Sequence, residues 1–205
     1  MEEIELNQTY LEFFETIKIE NGEVFHLPYH QKRYESVLDS FGINTYKDLK
    51  DYINPPENGL YRCRLVYKIV KNTHSVNVEY IEYKKRDVHS LQTVYDDTIE
   101  YKYKSTNRES IEKLFALKGK CDDILIVKNS LVRDTSIANI AFYDENKWVT
   151  PKEPLLKGTT RERLLQEGFL SEKNITLNEL KNFSKIALLN AMIGFDVIEE
   201  YQILI

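Results

Sequence analysis

Two alternating runs, GLYRCRLVYKIV (59–70) and SVNVEYIEY (75–83), are separated only by KNTH. Alternation sends successive side chains to opposite faces of a strand. A connection of four residues can join two strands only in antiparallel fashion. The pair therefore predicts a hairpin with one face buried. A second hairpin is predicted just upstream, where FFETIKI (13–19) and EVFHL (23–27) flank ENG, because Asn-Gly suits a two-residue turn with both φ angles positive. Between the hairpins, PYHQKRYESVLDSFG (28–42) predicts a helix. Pro28 sits near its start, Tyr34, Val37, Leu38 and Phe41 recur at helical spacing, and Gly42 stands at the C-terminal cap. YKDLKDYI (46–53) predicts a second short helix stopped by Pro55 and Pro56.

The polar segment KKRDVHS (84–90) is the expected inter-domain linker, giving a small N-terminal domain over 1–86 and a C-terminal domain over 87–205. The second half is expected to open with a strand over 91–104. On that strand Lys102 and Lys104 would share a face. A helix follows from about Thr106, with Thr106 and Glu109 spaced as a capping box. DILIVKN (123–129) and IANIAFYDENKWVTP (137–151) predict strands joined by turns. GTTRERLLQEG (158–168) predicts a glycine loop leading into a helix, with Thr159 and Glu162 spaced as another capping box. TLNELKNFS (176–184) predicts a short helix, and KIALLNAMIGFDVIEEYQILI (185–205) the terminal strands. The whole reads as α+β without internal repeats.

Composition narrows the function. Hydrophobic residues at 42% and charged residues at 30% describe a globular chain. A net charge of −5 without a basic block argues against a nucleic-acid backbone as partner. Cys63 and Cys121 read as buried thiols of a reduced, cytoplasmic protein. The acidic opening MEEIELNQTY lacks the apolar core of a signal peptide, and no run approaches the ~18 apolar residues that span a bilayer. The glycines form no GxG, and neither GxSxG nor HExxH occurs. Pro28 between His26 and His30 argues against a metal site there, leaving His30 to pack or cap locally.

One feature survives as chemistry: KGTTRE (157–162), a glycine-led helix start of the kind whose free N–H groups suit a phosphate. A phosphate cradle, a lysine after a strand and a carboxylate at another strand together would serve pyridoxal phosphate. In that company the chain carries, in order, FFETIKIENGEVFHLPYHQKR with His30 to Arg33, KSTNR, VRDTSIANIAFY, KGTTRERLL and LNAMIGFDVI. This order of motifs resembles the class IV aminotransferase family, the fold-type IV pyridoxal phosphate enzymes, and is most similar to their aminodeoxychorismate lyase branch.

The resemblance implies a two-domain fold like that of D-amino acid aminotransferase, with a small α/β N-terminal domain and a larger β-rich C-terminal domain. Lys104 matches the Schiff-base lysine, and Asp134 the partner of the pyridine nitrogen. Arg33, Thr159 and Thr160 match phosphate contacts, with Ser136 a weaker addition. Asn139 frames the site, and Asn190 and Ala191 match a loop near phosphate and substrate. Asp134 stands where the family has glutamate, and Thr135 where it has glycine. Arg62 and Arg64, on one strand face, are candidates for an anionic substrate. The implied activity converts 4-amino-4-deoxychorismate to 4-aminobenzoate and pyruvate in folate synthesis. The alternatives are an aminotransferase acting on a small amino acid and a catalytically silent pyridoxal phosphate-binding homologue. A cytoplasmic homodimer without metal, nucleic-acid or membrane partners completes the expectation.

Overall fold

The computed structural model describes residues 10–71 and 73–205, so the reading of the acidic opening falls almost wholly outside the described residues. The chain divides into two compact units. One runs to Glu82 and takes in Tyr103–Asn107; the other holds Tyr83–Lys102 and Arg108–Ile205.

The first unit is an antiparallel sheet backed by a helix. Its elements are β1 (Leu11–Glu20), β2 (Glu23–Val24), α1 (Leu27–Ser40), a 3-10 turn over Leu49–Tyr52, β3 (Leu60–Val70) and β4 (Thr73–Glu82). The strand order is β2-β1-β3-β4. Asn21 and Gly22, at φ 48° and 82°, make the tight turn. Pairing ends at Val24, two residues into the expected EVFHL strand, because His26 at φ 54° turns the chain into α1. Alternation buries Phe13, Ile17 and Ile19 of β1 and Cys63, Leu65, Tyr67 and Ile69 of β3, with Tyr34, Val37 and Leu38 of α1 in the same cluster. The second expected helix is only the 3-10 turn.

The second unit stacks two mixed sheets between two helices. Its elements are β5 (Ser90–Tyr95), α2 (Glu109–Phe115), β6 (Asp123–Lys128), β7 (Leu131–Val132), β8 (Asn139–Asp144), β9 (Lys147–Pro151), α3 (Thr159–Gln166), β10 (Leu170–Lys173), β11 (Ile186–Asn190), β12 (Gly194–Ile198) and β13 (Gln202–Leu204). The sheets run β13-β5-β6-β7 and β10-β9-β8-β11-β12. Leu125 and Val127 from one meet Ile140, Phe142, Val149, Ile186 and Leu188 from the other. On its second face, β6 packs Ile124 and Ile126 with Ile111 and Leu114 of α2. Leu164 of α3 lies with Ala141, Ala187 and Leu189 on the outer face of the five-stranded sheet. A strand buried on both faces must be apolar throughout, which explains DILIVK.

The structure differs from expectation between 91 and 109. β5 ends at Tyr95, where Asp96 accepts from the N–H and hydroxyl of Thr98 and turns the chain. Residues 101–104 form no regular strand, so alternation does not give Lys102 and Lys104 a common face; Lys102 is exposed and Lys104 half-buried. The chain instead pairs with β1: Phe14 N–H donates to Lys104 O at 2.9 Å and Thr106 N–H to Glu12 O at 3.0 Å. The Thr106 hydroxyl also turns to Glu12 O rather than capping a helix, and α2 begins at Glu109. At 159–162 there is likewise no capping box, since Gly158 is the cap and Thr159 already helical. A capping box forms at Thr176 and Glu179, on the 3-10 turn Leu177–Asn182.

Phe142 is fully buried, with its ring 5.0 Å from that of Phe183. Phe142→Ala should lower the unfolding free energy by about 3–5 kcal/mol. Val197→Ala, on a side chain 43% exposed, should stay within about 0.5 kcal/mol. Denaturant titration of the two variants measures both.

Candidate functional site

In the second unit the site is built around a carboxylate. Past β7 the chain reverses over Asp134–Asn139, whose ends form an isolated bridge. Thr135 N–H donates to Ala138 O at 2.9 Å, and the Thr135 hydroxyl accepts from Ala138 N–H at 3.1 Å. Thr135 therefore stitches the turn, and it does so without a positive φ, so the family's glycine is not required here. Asp123, fully buried, accepts from Ser136 N–H at 3.3 Å, and Arg108 donates to Ser136 O at 2.8 Å.

Asp134 is buried, and both its oxygens are engaged. Oδ1 accepts from Asn139 Nδ2 at 2.7 Å and Oδ2 from Leu156 N–H at 3.0 Å. Burial pushes its pKa up, and the hydrogen bonds from Leu156 and Asn139 with the more distant charge of Arg161 pull it part of the way back, leaving it at about 6. Asn139 Nδ2 also donates to Leu156 O at 2.8 Å. Its Oδ1 abuts Gly158, where an added Cβ would lie 2.1 Å away. One asparagine thus ties the Asp134 turn to the start of α3.

Gly158 offers α3 no side-chain cap, and the first-turn Thr159 and Thr160 are buried. Arg161 is structural, bonding Pro151 O at 2.8 Å and Glu172 at 2.7 Å. Asn190 Oδ1 accepts from Met192 N–H at 2.9 Å and Ile193 N–H at 3.1 Å, shaping the β11–β12 turn that carries Ala191, and its Nδ2 donates to Ile137 O at 3.4 Å. Asp134, Ser136, Asn139, Asn190 and the α3 start are therefore brought into one network.

In the first unit the candidates gather at β1. Lys104 Nζ lies 4.6 Å from the centre of the Phe14 ring and the Arg64 guanidinium 4.9 Å from it. Arg62, two residues along, is exposed. Arg33 forks onto Glu15, with Nε to Oε1 at 2.8 Å and Nη2 to Oε2 at 2.5 Å. His30, expected to pack or cap locally, instead bonds Glu15 Oε2 through Nδ1 at 2.7 Å. Burial pushes Glu15 up, but the Arg33 charge and the His30 hydrogen bond outweigh it and hold the carboxyl at about 2. Burial lowers His30 more than Glu15 raises it, with Arg33 and Lys104 adding to the fall.

Sequence reasoning passed over Glu15 and Leu156. Glu15 was marked by a visible signal, a carboxylate on the apolar face of an alternating run. Leu156 acts through its backbone and carries no such mark. Among the described residues no cluster of three metal-ligating side chains occurs, and no helix is long and apolar enough to cross a membrane.

The family model for class IV amino-transferases matches residues 12–200. A Haemophilus influenzae protein of uncharacterised function is 41% identical over 187 residues, covering 88% of this chain and 97% of the relative. A Schizosaccharomyces pombe protein provisionally named an aminodeoxychorismate lyase is 28% identical, covering 87% of this chain and 84% of the relative. Among solved structures, a Haemophilus somnus 129PT protein provisionally named a 4-amino-4-deoxychorismate lyase superposes with TM-score 0.78 at 32% identity, over 90% of this chain and 97% of that one.

Two outcomes follow from the carboxylate network. Gly158→Ala forces Asn139 off Asp134 and should cost about 1–3 kcal/mol in denaturant unfolding. Asp134 titrates at about 6 in the fold against an ordinary value of 3.8, so the fold favours its neutral form. That contribution is fully present below about pH 4 and is lost as pH rises through about 6. Relative to Asp134→Asn, the native protein should lose up to ~3 kcal/mol of unfolding free energy across that window. A difference that stays flat there would overturn the assignment.

Proposed function

The chain belongs to the class IV aminotransferase family, and from that premise we propose that it is a pyridoxal phosphate-dependent lyase converting 4-amino-4-deoxychorismate to 4-aminobenzoate and pyruvate. The names carried by the pombe and Haemophilus somnus relatives support this substrate, as does the segment LNAMIGF. The observation that carries the cofactor reading is Asp134, a buried carboxylate held by neutral donors at the start of a turn. A cationic donor beside it would stabilise its ionised form, and a protonated ring nitrogen is one. The residues present fit pyridoxal phosphate in a second respect. The N-terminus of α3 has no side-chain cap, and its first-turn N–H groups suit a phosphate.

When bound, the cofactor supplies a conjugated ring that takes up the electrons of the breaking bond. Lys104 would hold the cofactor through its amine and move the proton at the carbon bearing the substrate amine. Arg33 would bring its positive charge to the phosphate. Asp134 would meet the ring nitrogen, with Asn139 holding Asp134 in place, and Thr159 and Thr160 with Ser136, Asn190 and Ala191 would surround phosphate and substrate. Arg64 is placed beside Lys104 on Phe14 and suits a substrate carboxylate; Arg62 is the more exposed of the two arginines. Loss of the ring proton lets the substrate aromatise, and the departing enolpyruvate takes up a proton as pyruvate. We place the protein in the cytoplasm as a homodimer feeding folate synthesis.

Purified protein should consume 4-amino-4-deoxychorismate with pyruvate appearing in equal amount. Turnover that instead requires both an amino acid and a 2-oxo acid would assign it as a transaminase. Lys104→Ala should abolish the absorbance band near the visible edge and lower turnover ~10³-fold or more, whereas Lys102→Ala should keep both. The reverse pattern would move the covalent role to Lys102.

A further inference from the structure

By the alternation of β1, Phe14 falls on the face opposite to Phe13 and Ile17. It is nonetheless only 9% exposed. The pairing of β1 sets a cation on either side of it. Toward β3, Phe14 stands opposite Val66 and Thr16 opposite Arg64, so Arg64 is its diagonal neighbour on the same face. Along the other edge of β1 run residues 103–107, which belong to the same unit. Phe13 and Ser105 form an antiparallel bridge there, flanked by the bonds from Phe14 N–H to Lys104 O and from Thr106 N–H to Glu12 O. That register puts Lys104 directly across from Phe14, and residues across an antiparallel pair share a face.

Both cations reach the same ring. Lys104 Nζ lies 4.6 Å from its centre and the guanidinium carbon of Arg64 4.9 Å. The face of an aromatic ring carries partial negative charge, which attracts a cation and has little hold on a neutral amine. A guanidinium keeps its charge at every working pH, whereas an amine can give up its proton. The ring therefore holds Arg64 throughout and distinguishes between the two forms of Lys104. The attraction is modest, so it can guide an amine that must also leave.

We infer that Phe14 is a positioning residue for Lys104, whose ring face holds the charged amine whenever the lysine is not attached to the cofactor and so returns the proton-bearing Nζ to one fixed place. This rests on the reading of Lys104 as the covalent lysine. The alternative is an aromatic side chain that only packs against the 103–107 segment.

The contact can be read directly by NMR on the cofactor-free full chain carrying 13C-labelled lysine, with the Lys104 signals identified by their absence in Lys104→Arg. A group over a ring face is shielded by the ring current, so the Lys104 ε-CH2 protons should lie upfield of the ordinary lysine position. Phe14→Leu keeps an apolar side chain without a ring and should return them to it, and Phe14→Tyr should restore the shift. In turnover, whether of 4-amino-4-deoxychorismate or of an amino acid with a 2-oxo acid, Phe14→Leu should lower kcat ~10-fold with KM little changed. Phe14→Tyr should keep kcat. Lys104 ε-CH2 protons at the ordinary position in the native chain would overturn the inference, even where Lys104→Ala abolishes the absorbance band and so upholds Lys104 as the covalent lysine. A band that survives Lys104→Ala would instead overturn the reading of Lys104, and the inference with it. Equal loss of kcat in Phe14→Leu and Phe14→Tyr would leave Phe14 a packing residue. Should Phe14→Leu fail to fold, Phe14→Met, likewise apolar and without a ring, carries the same expectations.

Discussion

Each unit of this protein buries a carboxylate, and the donors that meet it decide how the surrounding elements are arranged. An ionised carboxylate removed from water is strongly disfavoured unless its oxygens are satisfied. Glu15 is met by a guanidinium and an imidazole and titrates far below the ordinary range. Asp134 is met by an amide and a backbone N–H, with no cation in direct contact among the described residues, and titrates above it. The two solutions give opposite pH behaviour. Glu15 contributes stability above its ordinary pKa that is lost only in strong acid, while Asp134 contributes stability in acid that is lost on approach to neutrality. At neutral pH the ionised Glu15 therefore adds stability while the ionised Asp134 does not, and Asp134 is the group we propose to meet the cofactor.

What was legible in the sequence was whatever local pattern dictates. The Asn21-Gly22 turn, the β3–β4 hairpin, α1 with Pro28 and Gly42, and the glycine start of α3 all follow from residues within a few positions of one another. The placement of 103–107 does not. Its hydrogen bonds go to Glu12 and Phe14, about ninety residues away, and the polar sequence KSTNR carries no record of that partner. Threonine and glutamate at 106 and 109 matched a capping box by spacing, yet the Thr106 hydroxyl found the carbonyl of Glu12 instead. Local rules of this kind state what a side chain can do, and the sheet edge decides which option is taken.

The same logic covers the site. Lys104, Asp134, Asn139 and the α3 start were identified by a resemblance in motif order, which says nothing about who holds whom. That Asn139 spans Asp134, Leu156 and the Cα of Gly158 is a property of three segments meeting. It also gives Gly158 a reason distinct from the usual one. The residue is not at a positive φ; it is glycine because an amide oxygen sits where its Cβ would be.

The departures from the family at 134 and 135 are then coupled rather than independent. A shorter acid moves its carboxylate toward its own backbone by about one methylene. In this chain that carboxylate is held from both sides, by Asn139 and by the N–H of Leu156, so its position follows the backbone of the 134–139 turn and of the segment before α3 more than the length of the side chain. A threonine beside it is what makes such a turn rigid, because its hydroxyl both accepts from Ala138 N–H and donates to Ala138 O. Glycine would supply neither bond and would add backbone freedom to the strand end that carries the acid. Aspartate is thus held in place by local hydrogen bonding that the neighbouring threonine supports, and placing glycine at 135 alone would loosen Asp134.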